Sequence, residues 1–198
     1  TRHRRKPPQY MAAAAIQDCL FTAMDMDEKG AKLRYESAMR SSEGAQWTAG
    51  AIKEFDRLVE ETHTGSWIPR KDVPQGRKIS YYNPRLTRKR RGPDRIEYRV
   101  RGTYGGDRGD YTGPTAAETA DVTAVKIMLN AVISEPDACW LTTDISDFYL
   151  GTPMDSPEFM RVPLKYIPEA TMTKYHLHDL VCNDAVIMRL DKGIYGLK

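Results

Sequence analysis

Between Trp47 and Val59 the apolar residues Trp47, Ala51, Ile52, Phe55, Leu58 and Val59 return at helical spacing, with Lys53, Glu54, Asp56 and Arg57 between them. One apolar stripe of that width predicts an amphipathic helix whose charged residues face outward. Past Gly65 the period shortens. Trp67-Ile68, Lys78 to Thr87 and Arg95 to Thr103 read as strands, and Gly92-Pro93-Asp94 punctuates the last two as the turn of a β-hairpin. Arg101 to Thr115 holds Gly102, Gly105, Gly106, Gly109 and Gly113, which predicts a loop. Asp121 can cap a helix running to about Ser134, with Val125, Met128, Leu129 and Val132 as its packing face and Pro136 just past its end. The apolar run Cys139 to Thr143 reads as a buried strand with Trp140 in the core, and Phe159 to Leu164 and Val186 to Leu190 read as further strands. Helices and strands are mixed without a regular βαβ alternation, so the fold class expected is α+β.

The first 30 residues open with Arg2, Arg4, Arg5, Lys6 and a Pro7-Pro8 pair and then carry a short Ala/Met-rich stretch, which reads as a linker with one small helix. No internal repeat is visible. Both ends read as cuts through a longer chain, since the sequence begins at Thr1 and stops at Lys198 without a tail composition. With 198 residues, 40% of them hydrophobic, one sizeable core or two small ones can form. No apolar run approaches the roughly 18 residues of a membrane span, and Met11 to Ile16 is too short for a signal-peptide core. The reading is an intracellular, cytoplasmic protein with no membrane partner. Cys19, Cys139 and Cys182 lie far apart with no CxxC pair, so they read as buried or idle thiols. His176 and His178 form an HxH followed by Cys182, but no fourth ligand is evident and zinc is not expected.

Net charge is only +3, from 30 basic and 27 acidic residues, and its distribution says more than its sum. Arg85, Arg88, Lys89, Arg90, Arg91, Arg95, Arg99 and Arg101 crowd the hairpin, opposed only by Asp94 and Glu97. Such a stripe suits a phosphate backbone, where each cation releases condensed counterions; the other reading is a solvated, charged hairpin. Arg99 and Arg101 stand two apart on a strand and therefore point the same way, so both can reach one ligand. Arginine suits phosphate because its planar fork can bind two oxygens and stays charged at any relevant pH. The densest chemistry is in residues 142 to 154, where Asp144 and Asp147 flank Ile145 and Ser146 just before Phe148 and Tyr149. Two carboxylates at the end of a strand can form a hard-oxygen site for Mg²⁺; alternatively Asp147 caps a short helix and Asp144 sits in a turn.

These motifs, in their order, resemble the copia-type retrotransposon reverse transcriptases over about four-fifths of the chain. The resemblance begins with Tyr35 to Met39, continues through Trp47 and Trp67-Ile68-Pro69, and includes Glu97 to Gly106, where Arg99 stands in the family's lysine position and Arg101 in its arginine position. Asp110-Tyr111 is similar to an Asp-Tyr pair of the family, Asp144 to Met154 to its first catalytic motif, and Asp191 to Leu197 to the landmark before its nucleotide-contacting glutamine. The resemblance implies an RNA-directed DNA polymerase that copies retrotransposon RNA into DNA by two-metal phosphoryl transfer. It implies residues 1–34 as linker and leader, 35–115 as fingers, and 116–198 as the amino-terminal part of a palm with a ferredoxin-like sheet. Asp144 would be the catalytic carboxylate and, with the backbone carbonyl of Ile145, would hold Mg²⁺ or Mn²⁺. Arg99, Arg101 and the backbone near Asp147 and Phe148 would bind the triphosphate of the incoming deoxynucleotide, and Tyr149 would lie under its sugar and exclude a 2′-hydroxyl. The Arg88 to Arg91 run would face the template or water. The implied partners are an RNA or DNA template, a primer strand, deoxynucleoside triphosphates and the remainder of a retrotransposon polyprotein, in the cytoplasm or in virus-like particles.

The sequence also departs from the family pattern. The family's second catalytic motif, an aspartate pair on a tight hairpin, and the glutamine after the Asp191 to Leu197 landmark do not occur within the 198 residues, so the chain alone is expected to be inactive. The stretch between Arg101 and Asp110 is shorter and richer in glycine, and Phe148 and Gly151-Thr152 stand where the family more often has a small residue and an Asn-Gly pair. A non-catalytic nucleic-acid-binding relic, or a scaffold derived from such a polymerase, is the alternative expectation.

Overall fold

The structure, a computed structural model, describes residues 33–91, 95–109, 121–141, 143 and 145–197. Asp144, Asp110-Tyr111, Cys19, the 92–94 turn, the second half of the glycine-rich stretch and nearly all of the 1–34 leader lie outside the described residues. The elements in chain order are α1 (Tyr35–Met39), α2 (Gly44–Asp56) with a π-helical turn (Arg57–Glu61), β1 (Gly65–Ile68), β2 (Ser80–Arg90) and β3 (Ile96–Tyr104). They continue as α3 (Val122–Ser134), α4 (Phe148–Gly151), β4 (Pro153–Pro163), α5 (Glu169–Lys174) and β5 (Ala185–Lys192). The fold is α+β, as expected.

One five-stranded sheet has the order β1-β5-β4-β2-β3. Three of its neighbouring pairs are antiparallel, and β2 meets β4 in parallel over Ser80 and Tyr81 only. The sheet thus takes three strands from the segment expected as fingers and two from the segment expected as palm. Its main core gathers Phe55, Leu58, Tyr82, Leu150, Met160, Met188 and Leu190, and a smaller core joins Tyr35, Trp47 and Ala51 to Leu86 and Val100 of the hairpin.

The amphipathic helix is present, but two of its charged residues are not outside: Glu54 is 4% exposed, and the Arg57 side chain beside it is 12% exposed. Each is kept inside by polar partners, described below, that helical periodicity does not reveal. The hairpin register, with Leu86 opposite Val100, puts Thr87 opposite Arg99 and Arg85 opposite Arg101. Gly102, where the expected strand and the expected loop overlap, lies within β3, and a Cβ there would meet the Tyr82 ring at 2.5 Å. Arg88 pairs with Glu43 at 2.6 Å and lies over the Trp47 ring.

Asp121 caps α3 as expected, accepting a hydrogen bond from the Thr123 amide at 2.7 Å. The packing face expected for that helix is not formed, because no residue of α3 is buried and Ile133 is 83% exposed. Periodicity says which face would be covered, not what covers it. The run from Cys139 is not a buried strand either. Trp140 and Leu141 are exposed, and residues 139–141 belong to none of the five strands. Cys139 and Cys182 are likewise exposed free thiols. Among the described residues no helix is long and apolar enough to cross a membrane.

Candidate nucleotide site

β3 alternates across its two faces, and burial of Val100 in the smaller core directs Arg99 and Arg101 to the other face. Lys89 of β2 lies opposite Glu97 on that same face, and Arg91 donates to the Glu97 carboxylate at 2.7 Å. That contact, mainly through the hydrogen bond, holds the Glu97 pKa below its usual value. Arg99 is attracted by Glu97 and Arg101 by Glu54, and the Arg101 guanidinium lies over the Tyr195 ring.

The turn carrying the aspartate motif comes to face this cationic wall. Leu150 anchors it: the side chain is fully buried in the main core, and its carbonyl accepts from the Thr64 hydroxyl at 3.2 Å. Gly193 permits the approach, since a Cβ there would stand 2.6 Å from the Tyr149 carbonyl. With Leu150 turned inward, Phe148 and Tyr149 are left exposed, their rings edge to face at 5.8 Å. Asp147 adopts a left-handed conformation with φ of 53°. It occupies the residue position before α4 without capping it; its carboxylate instead accepts from Arg57.

Arg57 therefore joins two carboxylates. It donates to both oxygens of Glu54, at 2.8 and 2.6 Å, as well as to Asp147. Glu54 Oε1 also accepts from the Gly102 amide at 2.8 Å, so the chain of contacts runs from the strand carrying Arg101 to the aspartate turn. Burial pushes the Glu54 pKa up, against the pull of Arg57 and of the Gly102 amide. Burial works against the Arg57 charge too, but Glu54 and Asp147 outweigh it and hold that pKa above its usual value.

Between the two walls lies an open cleft of about 730 Å³. Lys89, Arg91, Arg99 and Arg101 of the hairpin line it together with Ile145, Ser146, Asp147, Phe148 and Tyr149 of the aspartate turn, and with Tyr195. Thus Arg99, Arg101, Ile145, Asp147, Phe148 and Tyr149, all singled out in the sequence, come together, and Asp144 is outside the described residues. Lys89 and Arg91 belonged to the basic stripe, whereas Tyr195 and Arg57 carried no signal as site residues; the only pointer to Tyr195 was its place in the Asp191 to Leu197 landmark.

Among the described residues no three His, Cys, Asp or Glu side chains are gathered to hold a metal. His178 instead lies 3.3 Å from Glu169, and His176 has a positive φ beside the short turn that follows. A second cleft, about 560 Å³, lies between residues 33–37 and β2; it presents Arg34 and Arg85 together with Glu36 and none of the aspartate turn. No family model, no curated protein and no solved structure matches this chain.

Proposed function

We propose that the chain forms the fingers and the first part of the palm of an RNA-directed DNA polymerase of the copia-type retrotransposon class, and that the 730 Å³ cleft receives the incoming deoxynucleoside triphosphate. The observation that carries this reading is the meeting of the hairpin arginines with the aspartate turn. Phosphate needs cations with free donors, and Arg99 and Arg101 offer two planar forks from one strand face. A nucleoside needs an apolar platform, and Phe148 and Tyr149 expose two rings in the same cleft.

In this arrangement Arg99 and Arg101 hold the triphosphate oxygens, with Lys89 and Arg91 adding positive potential at the mouth of the cleft. Tyr149 bounds the sugar and meets a 2′-hydroxyl with its ring, so that deoxynucleotides are preferred. Ile145 and Ser146, which follow Asp144 in the chain, line the cleft; the Asp144 carboxylate and the Ile145 carbonyl would hold Mg²⁺ or Mn²⁺. The ion, when bound, supplies charge stabilisation at the phosphoryl oxygens and activates the primer hydroxyl. Arg57 keeps the Asp147 side chain turned away from that role. That contact also favours a second reading, a nucleic-acid-binding module without chemistry, because it removes one of the motif's two carboxylates from the ligand set.

Titration with a deoxynucleoside triphosphate, followed by calorimetry, tests the cleft directly. Binding by the wild-type chain is expected, with Arg101→Ala weakening it by roughly 10-fold or more, as for a lost charge-assisted hydrogen bond of about 1.5–3 kcal/mol. Primer extension on an RNA template tests the chemistry, using a protein in which this chain is continued by the family's aspartate-pair hairpin. Extension that vanishes in Asp144→Ala supports the polymerase. Template binding with no extension and no triphosphate affinity selects the binding module.

A further inference from the structure

We propose that Tyr195 is the positioning residue for Arg101, a role that rests on reading the cleft as a triphosphate site. The Arg101 guanidinium carbon lies 4.7 Å from the centroid of the Tyr195 ring. The Glu54 carboxylate also attracts the Arg101 charge, but the ring is what meets the head of the side chain at this short distance. A guanidinium held over a ring through its face can still present its N–H fork to a ligand, with less rotamer freedom to lose when the ligand arrives.

Tyr195 is itself firmly held. Its carbonyl accepts from the Tyr104 amide at 2.7 Å, and the preceding Ile194 is buried in the main core. The residue after it, Gly196, has φ of +91° and packs against the Tyr104 backbone, in a conformation and space that exclude a side chain. The Tyr195 ring also meets the Tyr149 ring edge to face at 6.0 Å. One tyrosine from the segment after β5 thus touches both the cation assigned to phosphate and the ring assigned to sugar. Its hydroxyl has no part in either contact, so the ring is the functional portion.

The test is a double-mutant cycle with inorganic tripolyphosphate as the probe and calorimetric Kd as the readout. Tyr195→Leu is expected to weaken binding roughly 2- to 30-fold, the range of a cation–π contact, while Tyr195→Phe keeps the wild-type affinity. In an Arg101→Ala background the Leu substitution is expected to cost nothing further. Equal losses in both backgrounds, or a Phe variant as weak as the Leu variant, overturn the role. Where Arg101→Ala leaves too little binding to measure, the Phe and Leu comparison decides. Failure of the wild type to bind tripolyphosphate overturns the triphosphate reading and this role with it. Strong binding that depends on Arg101 but not on the Tyr195 ring overturns this role alone.

Discussion

Arg57 is a buried cation between two carboxylates, and its value to the molecule follows from what it would leave behind. Removing one partner of a buried pair strands the other charge in a poorly solvated place, at a cost of about 3–5 kcal/mol. Arg57→Ala is therefore expected to lower unfolding stability by roughly that amount in urea denaturation, with Glu54 as the main orphan. A loss below about 1 kcal/mol would show that water replaces the guanidinium, as at an exposed pair. The local pattern placed Glu54 and Arg57 outside because charged residues between apolar ones on a helix usually face water. Their burial depends on the Gly102 amide and on Asp147, both distant in sequence, so no window around the helix could reveal it.

At the scale of elements, the hairpin resolves a glycine that the sequence put both at the end of a strand and at the start of a loop. Alternation of Leu86 and Val100 with charged neighbours specified the pairing and its faces. Gly102, grouped with the glycines that follow, instead makes room for the Tyr82 ring, which is buried and stacked on Phe55 at 5.5 Å. Gly102→Ala should cost about 1–3 kcal/mol in thermal unfolding, because the ring has nowhere to move. An unchanged melting temperature would mean that the ring is looser than its burial implies. Helix α3 gives the opposite case: capping and periodicity are local and were read correctly, whereas the covering of Val125, Met128, Leu129 and Val132 needs a partner surface. The same distinction separates the exposed Trp140 from the core place its apolar neighbours indicated.

For the whole molecule, the decisive contact is between the end of β3 and the segment after β5. The Tyr104 amide bonds to the Tyr195 carbonyl, and Gly196 lies against Tyr104, so this junction ties the end of the strand carrying Arg101 to the segment carrying Tyr195. Gly196→Ala places a Cβ at a positive φ against that backbone and is expected to cost roughly 1–3 kcal/mol. It should also weaken triphosphate binding while the Arg101 side chain is intact, measured by melting and calorimetry on the same samples. Loss of stability with unchanged affinity would separate the junction from the cleft.

The sequence by itself determined the α+β class, the amphipathic helix, the basic hairpin with Arg99 and Arg101 on one face, the Asp121 cap and the order of the candidate motifs. These are local properties, set by periods of 2 and 3.6 residues, by turn chemistry and by cap residues. Only the tertiary structure decided that Glu54 and Arg57 go inside, that Asp147 pairs with Arg57 instead of capping α4, and that Tyr195 stands beneath Arg101. Each of those is a contact between residues far apart in the chain, favourable only once the sheet order β1-β5-β4-β2-β3 has brought them within reach.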